Sequence, residues 1–172
     1  MKHWQRYLSQ LKPQFLETQV PQRMVADMIV VIPCLDEKDL NMTLQSLLHC
    51  EKEGFQTLVV IILNSSERSP ISIVEQNRKS FDETIEFANK NRTPDLDFFP
   101  LIFENLPRKH AGVGLARKIG MDLAVSHFHS FANSEGIIVS LDADCTVSPH
   151  FLSKIYRAYK TSAKLNCTVQ NF

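Results

Sequence analysis

Asp142 and Asp144 stand two residues apart, just past a short apolar, β-branched run at 137–141. Carboxylates at that spacing, in a loop leaving a buried strand, can face one divalent cation. Mg2+ and Mn2+ take such oxygens together with substrate phosphates. The same pair also suits helix capping or plain solvation. Asp95 and Asp97 repeat the spacing in a polar stretch after Pro94 with no strand leading into it, so context rather than the triplet singles out Asp142 and Asp144. A second candidate is Gly112-x-Gly114, entering a helix whose first turn carries Arg117. A helix N-terminus with an arginine suits a diphosphate; the other reading of Arg117 is a solvated helix face. No third glycine follows at the dinucleotide-binding spacing, and no GxxxxGK[ST] loop is present. His127 and His129 are two apart, diverge on a helix, and read as solvated or capping rather than as a metal pair. His150, in the first turn after the aspartates, reads the same way, and no Ser-His-Asp spacing suggests a nucleophile.

The elements that must position these residues alternate along the chain. Runs at 28–32 and 58–63 are continuous and β-branched, as expected of strands buried on both faces, and 99–103 and 137–141 follow the pattern more weakly. Leu40, Leu44, Leu47 and Leu48 share one face of a first helix. Ser69-Pro70 offers an N-cap and first-turn proline to a second, carrying Ile73, Val74, Phe81, Ile85 and Phe87. Leu115, Ile119, Leu123 and Phe128 mark a third, Ser148-Pro149 opens a fourth, and 167–169 could begin a fifth strand. The polar stretch 89–97 reads as a surface loop. Strand and helix in alternation predict an α/β fold, with a mainly parallel sheet flanked by helices and right-handed crossovers. Ligands of such sheets bind at the carboxyl ends of the strands. Four polar loops fall there: Pro33-Cys34-Leu35-Asp36-Glu37, Asn64-Ser65-Ser66-Glu67, the segment from Lys109 to Arg117, and Asp142-Ala143-Asp144. Residues 1–26, with Trp4, Tyr7, Leu8, Leu11 and Phe15 on one helical face, read as an N-terminal helical extension, and 27–172 as one domain.

The chain's 172 residues can bury a sizeable core. Nineteen Lys and Arg balance nineteen Asp and Glu, which argues against a general nucleic-acid binder. No apolar run approaches the ~20 residues of a membrane span, and the first residues lack a signal-peptide core. The expectation is a cytoplasmic protein, or one lying at a membrane surface through its first helix. Cys34, Cys50, Cys145 and Cys167 are widely spread, without zinc spacing, and read as free thiols.

Taken in order, the four loops resemble the nucleotide-binding half of the family 2 glycosyltransferases, inverting enzymes with the Rossmann-like GT-A fold. The resemblance runs from Met28 to Tyr159. It rests on the strand and turn through Pro33, Leu35, Asp36 and Glu37, with Leu35 where an aromatic is common and Asp36 where Asn is. It rests also on Asn64-Ser65-Ser66, on Gly112-x-Gly114-x-Ala116-Arg117-x-x-Gly120-x-x-x-Ala124, and most specifically on Leu141-Asp142-Ala143-Asp144 with Val147-Ser148-Pro149 and Phe151-Leu152.

The resemblance implies that Asp144 binds Mg2+ or Mn2+ bridging a nucleoside-diphosphate sugar, a UDP-sugar by family default. Asp142 would contact the ribose or assist at the metal, and Asn64 would meet the base edge. Pro33, Leu35, Asp36, Glu37 and Ala143 would line the nucleoside pocket, and Arg117 would support the phosphates. The acceptor would be a polysaccharide or a lipid-linked glycan. Inversion needs a general base, which the family places further downstream. After Asp144 the chain has no Asp or Glu. The expectation is therefore a donor-binding fragment of a longer enzyme, the others being completion by a second chain or a non-catalytic nucleotide-sugar-binding module. A nucleotidyltransferase shares the edge chemistry, but its glycine- and lysine-rich opening loop is missing.

Overall fold

β1 (Met28–Cys34) is buried along its whole length, and β2 (Thr57–Ser66) at every position but the last. Strands apolar on both faces need cover on both faces, which crossover helices supply in a parallel sheet. The computed structural model describes residues 6–10, 24–52, 54–108 and 111–161. Between and after these strands come α1 (Leu40–Leu48), α2 (Ile71–Asn91), β3 (Leu96–Leu106), α3 (Val113–Ser130), β4 (Ile137–Ser140) and α4 (Phe151–Thr161). The sheet runs β3-β2-β1-β4, and all three pairings are parallel. The α/β expectation therefore holds. The segment 167–169, expected to begin a further strand, lies outside the described residues, as do most of 1–26 and Lys109 and His110.

Alternation along the strands divides the core in two. Met28, Val30, Ile32, Val59 and Ile61 pack with Leu40, Leu44 and Leu47 of α1, Phe87 of α2 and Leu152 of α4. Ile29, Val31, Leu58, Val60 and Ile62 face Ala116, Ile119, Leu123 and Phe128 of α3. α3 lies close to the sheet because its inner stripe is small: a Cβ at Gly120 would collide with the Val31 side chain.

Two prolines sit inside strands without breaking the ladder. The Val31 carbonyl accepts from Leu141 N–H at 3.0 Å, so Val31 and, two residues on, Pro33 turn toward β4. The β1–β4 pairing ends at Val31 and Ser140, so no ladder bond is asked of Pro33. Pro100 lies on β3, whose single neighbour among the described strands is β2, where an edge proline is tolerated.

Several expectations are corrected. Ser69 does not cap α2: Pro70 holds the N-cap position, with no side-chain capping bond. Ser69 Oγ instead accepts from Ser66 N–H at 2.9 Å and closes the turn after β2. The stretch 89–97 is not one loop, since α2 runs to Asn91 and β3 starts at Leu96. Thr93 ties the short connection, donating its N–H to Leu96 O and accepting Leu96 N–H on Oγ1. Asp97 thus lies in a strand, 1% exposed, with Oδ1 taking Phe98 N–H at 3.0 Å. On α2, Ile85 is exposed while Asn77, Ser80 and Thr84 are buried. His127 is buried rather than solvated, with Nε2 accepting from Ala26 N–H at 3.4 Å. Burial lowers the affinity of its ring for a proton, partly offset by a hydrogen bond with the Met24 backbone. In the N-terminal segment, Tyr7 Oη donates to Asp122 Oδ1 on α3 at 2.7 Å. No helix among the described residues is long and apolar enough to cross a membrane.

Candidate functional site

Chain order and spatial order part at β1, whose neighbours are β2 on one side and β4 on the other. The loops after β1 and β4 thus leave the sheet side by side at its carboxyl end, where α/β sheets bind ligands, and the helices that follow them, α1 and α4, pack on the same face. The loop after β1 carries Leu35, Asp36 and Glu37, and that after β4 carries Asp142, Ala143 and Asp144. The sequence-predicted residues therefore gather at one edge.

The β4 loop is held from below. Ala143 is buried and its carbonyl accepts Thr43 Oγ1 of α1 at 2.7 Å. Ser46 Oγ, one turn along α1, accepts Val147 N–H at 3.1 Å. With Ala143 fixed inward, Asp142 and Asp144 on either side are exposed. Neither caps a helix, because α4 begins only at Phe151. Arg117 donates from Nη2 to Asp142 Oδ1 at 2.7 Å and from Nε to Ser140 Oγ at 2.9 Å. Arg117 is thus neither a freely solvated cation nor a lone phosphate anchor; it is fixed on the first aspartate. Asp144 Oδ1 receives the Cys145 thiol at 3.6 Å.

In the loop after β1, the carboxyl of Glu37 is pushed above the usual carboxylate range, by partial burial first and then by the negative charges of Asp144, Asp36 and Asp39. Acids from two loops thus lie within reach of each other's charge. Among the described residues no three His, Cys, Asp or Glu side chains converge as a metal cage. The thiol of buried Cys34 is pushed up to about 12, chiefly by desolvation, which makes it an inert core group. Cys34, Cys50 and Cys145 are free thiols, and Cys167 lies outside the described residues.

Asn64, at the end of β2, is wholly buried. Its Nδ2 donates to the carbonyl of Gly112 at 3.1 Å, while Oδ1 finds no donor among the described residues. Gly112 holds the N-cap position of α3 at φ 141°, a conformation side chains rarely adopt. Asp36 sits in the left-handed region at φ 56°, which Asp tolerates better than most residues. Its N–H donates to Asn77 Oδ1 of α2 at 3.0 Å.

Thr43, Ser46, Asn77 and Ser80 are the residues sequence reading missed. On α1 a signal was there, since Thr43 falls in phase with Leu40, Leu44 and Leu47, where only a bonded polar group is tolerated; on α2 the apolar spacing gave none for Asn77 and Ser80.

No protein-family model and no curated protein matches the chain. Among solved structures, it is similar to S. aureus TarS 1-349, with a TM-score of 0.47 and 16% identity over 84% of this chain and 38% of that one. The same figures hold for TarS 1-349 in complex with UDP. The longer S. aureus TarS gives a TM-score of 0.43 and 18% identity over 78% of this chain and 19% of that one. The chain therefore spans well under half the length of these structures.

Proposed function

We propose that the chain is the donor-binding part of a metal-dependent glycosyltransferase of the family 2 kind, holding a nucleoside-diphosphate sugar at the edge formed by the loops after β1, β2 and β4 and the start of α3. One observation carries the reading. Glu37 and Asp144, from the loops after the neighbouring strands β1 and β4, lie near enough for the charge of Asp144 to help raise the Glu37 carboxyl, and Arg117 is fixed on Asp142, two residues before Asp144. Like charges left near each other suit a site completed by a cation.

In this reading Asp144, together with Glu37, would hold Mg2+ or Mn2+, and Asp142 would serve the ribose or the metal's edge. The cation, when bound, supplies neutralising positive charge at the diphosphate. The chain's own residues do the rest. Arg117 is held by Asp142 and Ser140 with its guanidinium already oriented, so little reorganisation is needed to meet charge growing on the leaving diphosphate. The acceptor oxygen forms its bond to the anomeric carbon as the bond from that carbon to the diphosphate oxygen breaks. Asn64 Oδ1, buried and without a donor among the described residues, would accept from a base edge only once uncovered, and Pro33, Leu35 and Asp36 would line the nucleoside side. The site of the acceptor glycan and the base that takes its proton would lie outside the residues named here.

Calorimetry with UDP, then GDP, in the presence and absence of Mn2+ tests this. Binding that depends on Mn2+ and is lost in Asp144→Ala is expected. No metal-dependent nucleotide binding, with Asp144→Ala indistinguishable from the native chain, overturns it. Nucleotide binding without donor turnover in the full-length protein would assign the fold to a non-catalytic binding module instead.

A further inference from the structure

We propose that Asn77 of α2 is the positioning residue of the nucleotide pocket, locking the loop after β1 to the end of β2; the role rests on the nucleotide-binding reading above. Asn77 is 1% exposed. Its Oδ1 accepts Asp36 N–H at 3.0 Å, and its Nδ2 donates to the Asn64 carbonyl at 3.0 Å. These partners fix the amide's orientation, because turning it over would set N–H against N–H and oxygen against oxygen. Neither bond serves α2 itself. A polar side chain buried on a helix is costly unless its bonds are made, and here both go to loops that carry candidate ligand residues.

The loop needs such a hold. β1 pairs with β2 only as far as Cys34, so the Asp36 N–H has no strand partner. Asp36 also occupies a left-handed conformation, which persists where surrounding bonds over-determine it. Ser80, one turn further along α2, adds a second fastening at 3.3 Å to the Glu37 carbonyl. The connection continues through Asn64, whose own Nδ2 holds the Gly112 carbonyl at the start of α3. From α3, Arg117 reaches Asp142. One run of hydrogen bonds thus registers the four loops against each other, with Asn77 at the joint between the first two. Removing it frees Asp36 from Asn64 while leaving the Ser80 bond to the Glu37 carbonyl and the Arg117–Asp142 pair intact.

The test uses the whole chain, with UDP and Mn2+ as probes. Asn77→Ala removes both bonds. Asn77→Asp keeps the acceptor for Asp36 N–H and places a repelling oxygen against the Asn64 carbonyl. Leu96→Ala, at the opposite end of the sheet, serves as a destabilised control. Two readouts are taken well below the melting temperature: UDP affinity with Mn2+ by calorimetry, and hydrogen exchange of the Asp36 amide without ligand. Asn77→Ala is expected to bind UDP at least about tenfold more weakly and to exchange the Asp36 amide faster by a similar factor. Asn77→Asp should keep the amide protected and fall between the two in affinity, and Leu96→Ala should match the native chain in both readouts. If Asn77→Ala does not fold, Asn77→Asp alone decides by its affinity. Native affinity in the Asn77 variants, or an unchanged Asp36 amide in Asn77→Ala, overturns the positioning role. A native chain that binds neither UDP nor GDP overturns the nucleotide reading itself, a result separate from any effect of Asn77.

Discussion

Asp142 and Asp144 are the same residue type two positions apart, and their surroundings give them different work. Asp142 has its charge compensated by Arg117 at 2.7 Å, whereas the charge of Asp144 adds to the cost of ionising Glu37. A cation should therefore depend most on Asp144 and Glu37, and the arginine's orientation on Asp142. Glu37→Gln removes one of two neighbouring charges, so the metal-free protein should melt at a higher temperature while the stabilisation added by Mn2+ shrinks. Thermal scans at neutral pH with and without Mn2+ read both effects; an unchanged metal-free midpoint together with a native Mn2+ response would refute the pairing. Asp142→Asn keeps the shape but weakens the hold on Arg117, since the guanidinium loses the negative charge of its carboxylate partner. Its expected signature is weaker UDP binding with less change in the response to Mn2+ alone than Glu37→Gln shows. Equal losses in both variants would mean that the two acids share one role.

At the scale of the elements, the positions of these side chains depend on how closely α3 lies on the sheet. Ala116, Gly120 and Ala124 recur every four residues along its inner face, and Gly120 leaves no room for a methyl group beside Val31 and Ile62. Gly120→Ala must push the helix outward or shift the strands, at a cost of roughly 1–3 kcal/mol. Arg117 lies one turn earlier on the same helix, so UDP affinity should fall together with the urea midpoint. A variant that is fully stable with native affinity would show that α3 has slack. This spacing was readable in the sequence, and so were the strands, because a continuous β-branched run has few other places to go. The faces of α2 were not. Apolar periodicity points to Ile85, which is exposed, and passes over Asn77, Ser80 and Thr84, which are buried. At a sheet edge the groups a helix must satisfy are loop amides and carbonyls, so its inner face is partly polar and hydrophobic counting misplaces it. Ser69 and Asp97 were misread for a related reason: both bond to backbone close by in sequence, and such local bonds leave no periodic trace.

Across the whole molecule, the candidate site and the anchoring of the segment that enters β1 lie at opposite poles of the sheet. The carboxyl ends of the strands carry the acids and Arg117. At the amino ends, the segment entering β1 is fastened by Ala26 N–H to His127 Nε2 at 3.4 Å, by Asn133 Nδ2 to the Ala26 carbonyl at 3.1 Å, and by Asp27 Oδ2 accepting Gln56 N–H at 2.9 Å. His127 accepts a hydrogen bond there, so it must be neutral at that nitrogen, and burial lowers its folded pKa below the unfolded value. The sign follows. Above about pH 6.5, the ordinary histidine value, both states are neutral and the contribution to stability is complete. As the pH falls below that value the unfolded chain takes up the proton first, and stability drops until the folded ring is protonated too. His127→Gln removes this titration. It should cost stability at pH 7.5, through the lost ring packing against Phe131, yet lose less than the native chain between pH 7 and pH 5. Urea midpoints across that range measure the difference, and parallel curves for the two proteins would exclude His127 as its source. Because His127 lies at the pole away from Asp144 and Arg117, the variant should bind UDP with native affinity at pH 7.5. A loss of affinity there would mean that the two ends of the sheet are mechanically coupled, with α3, which carries both Arg117 and His127, as the element joining them.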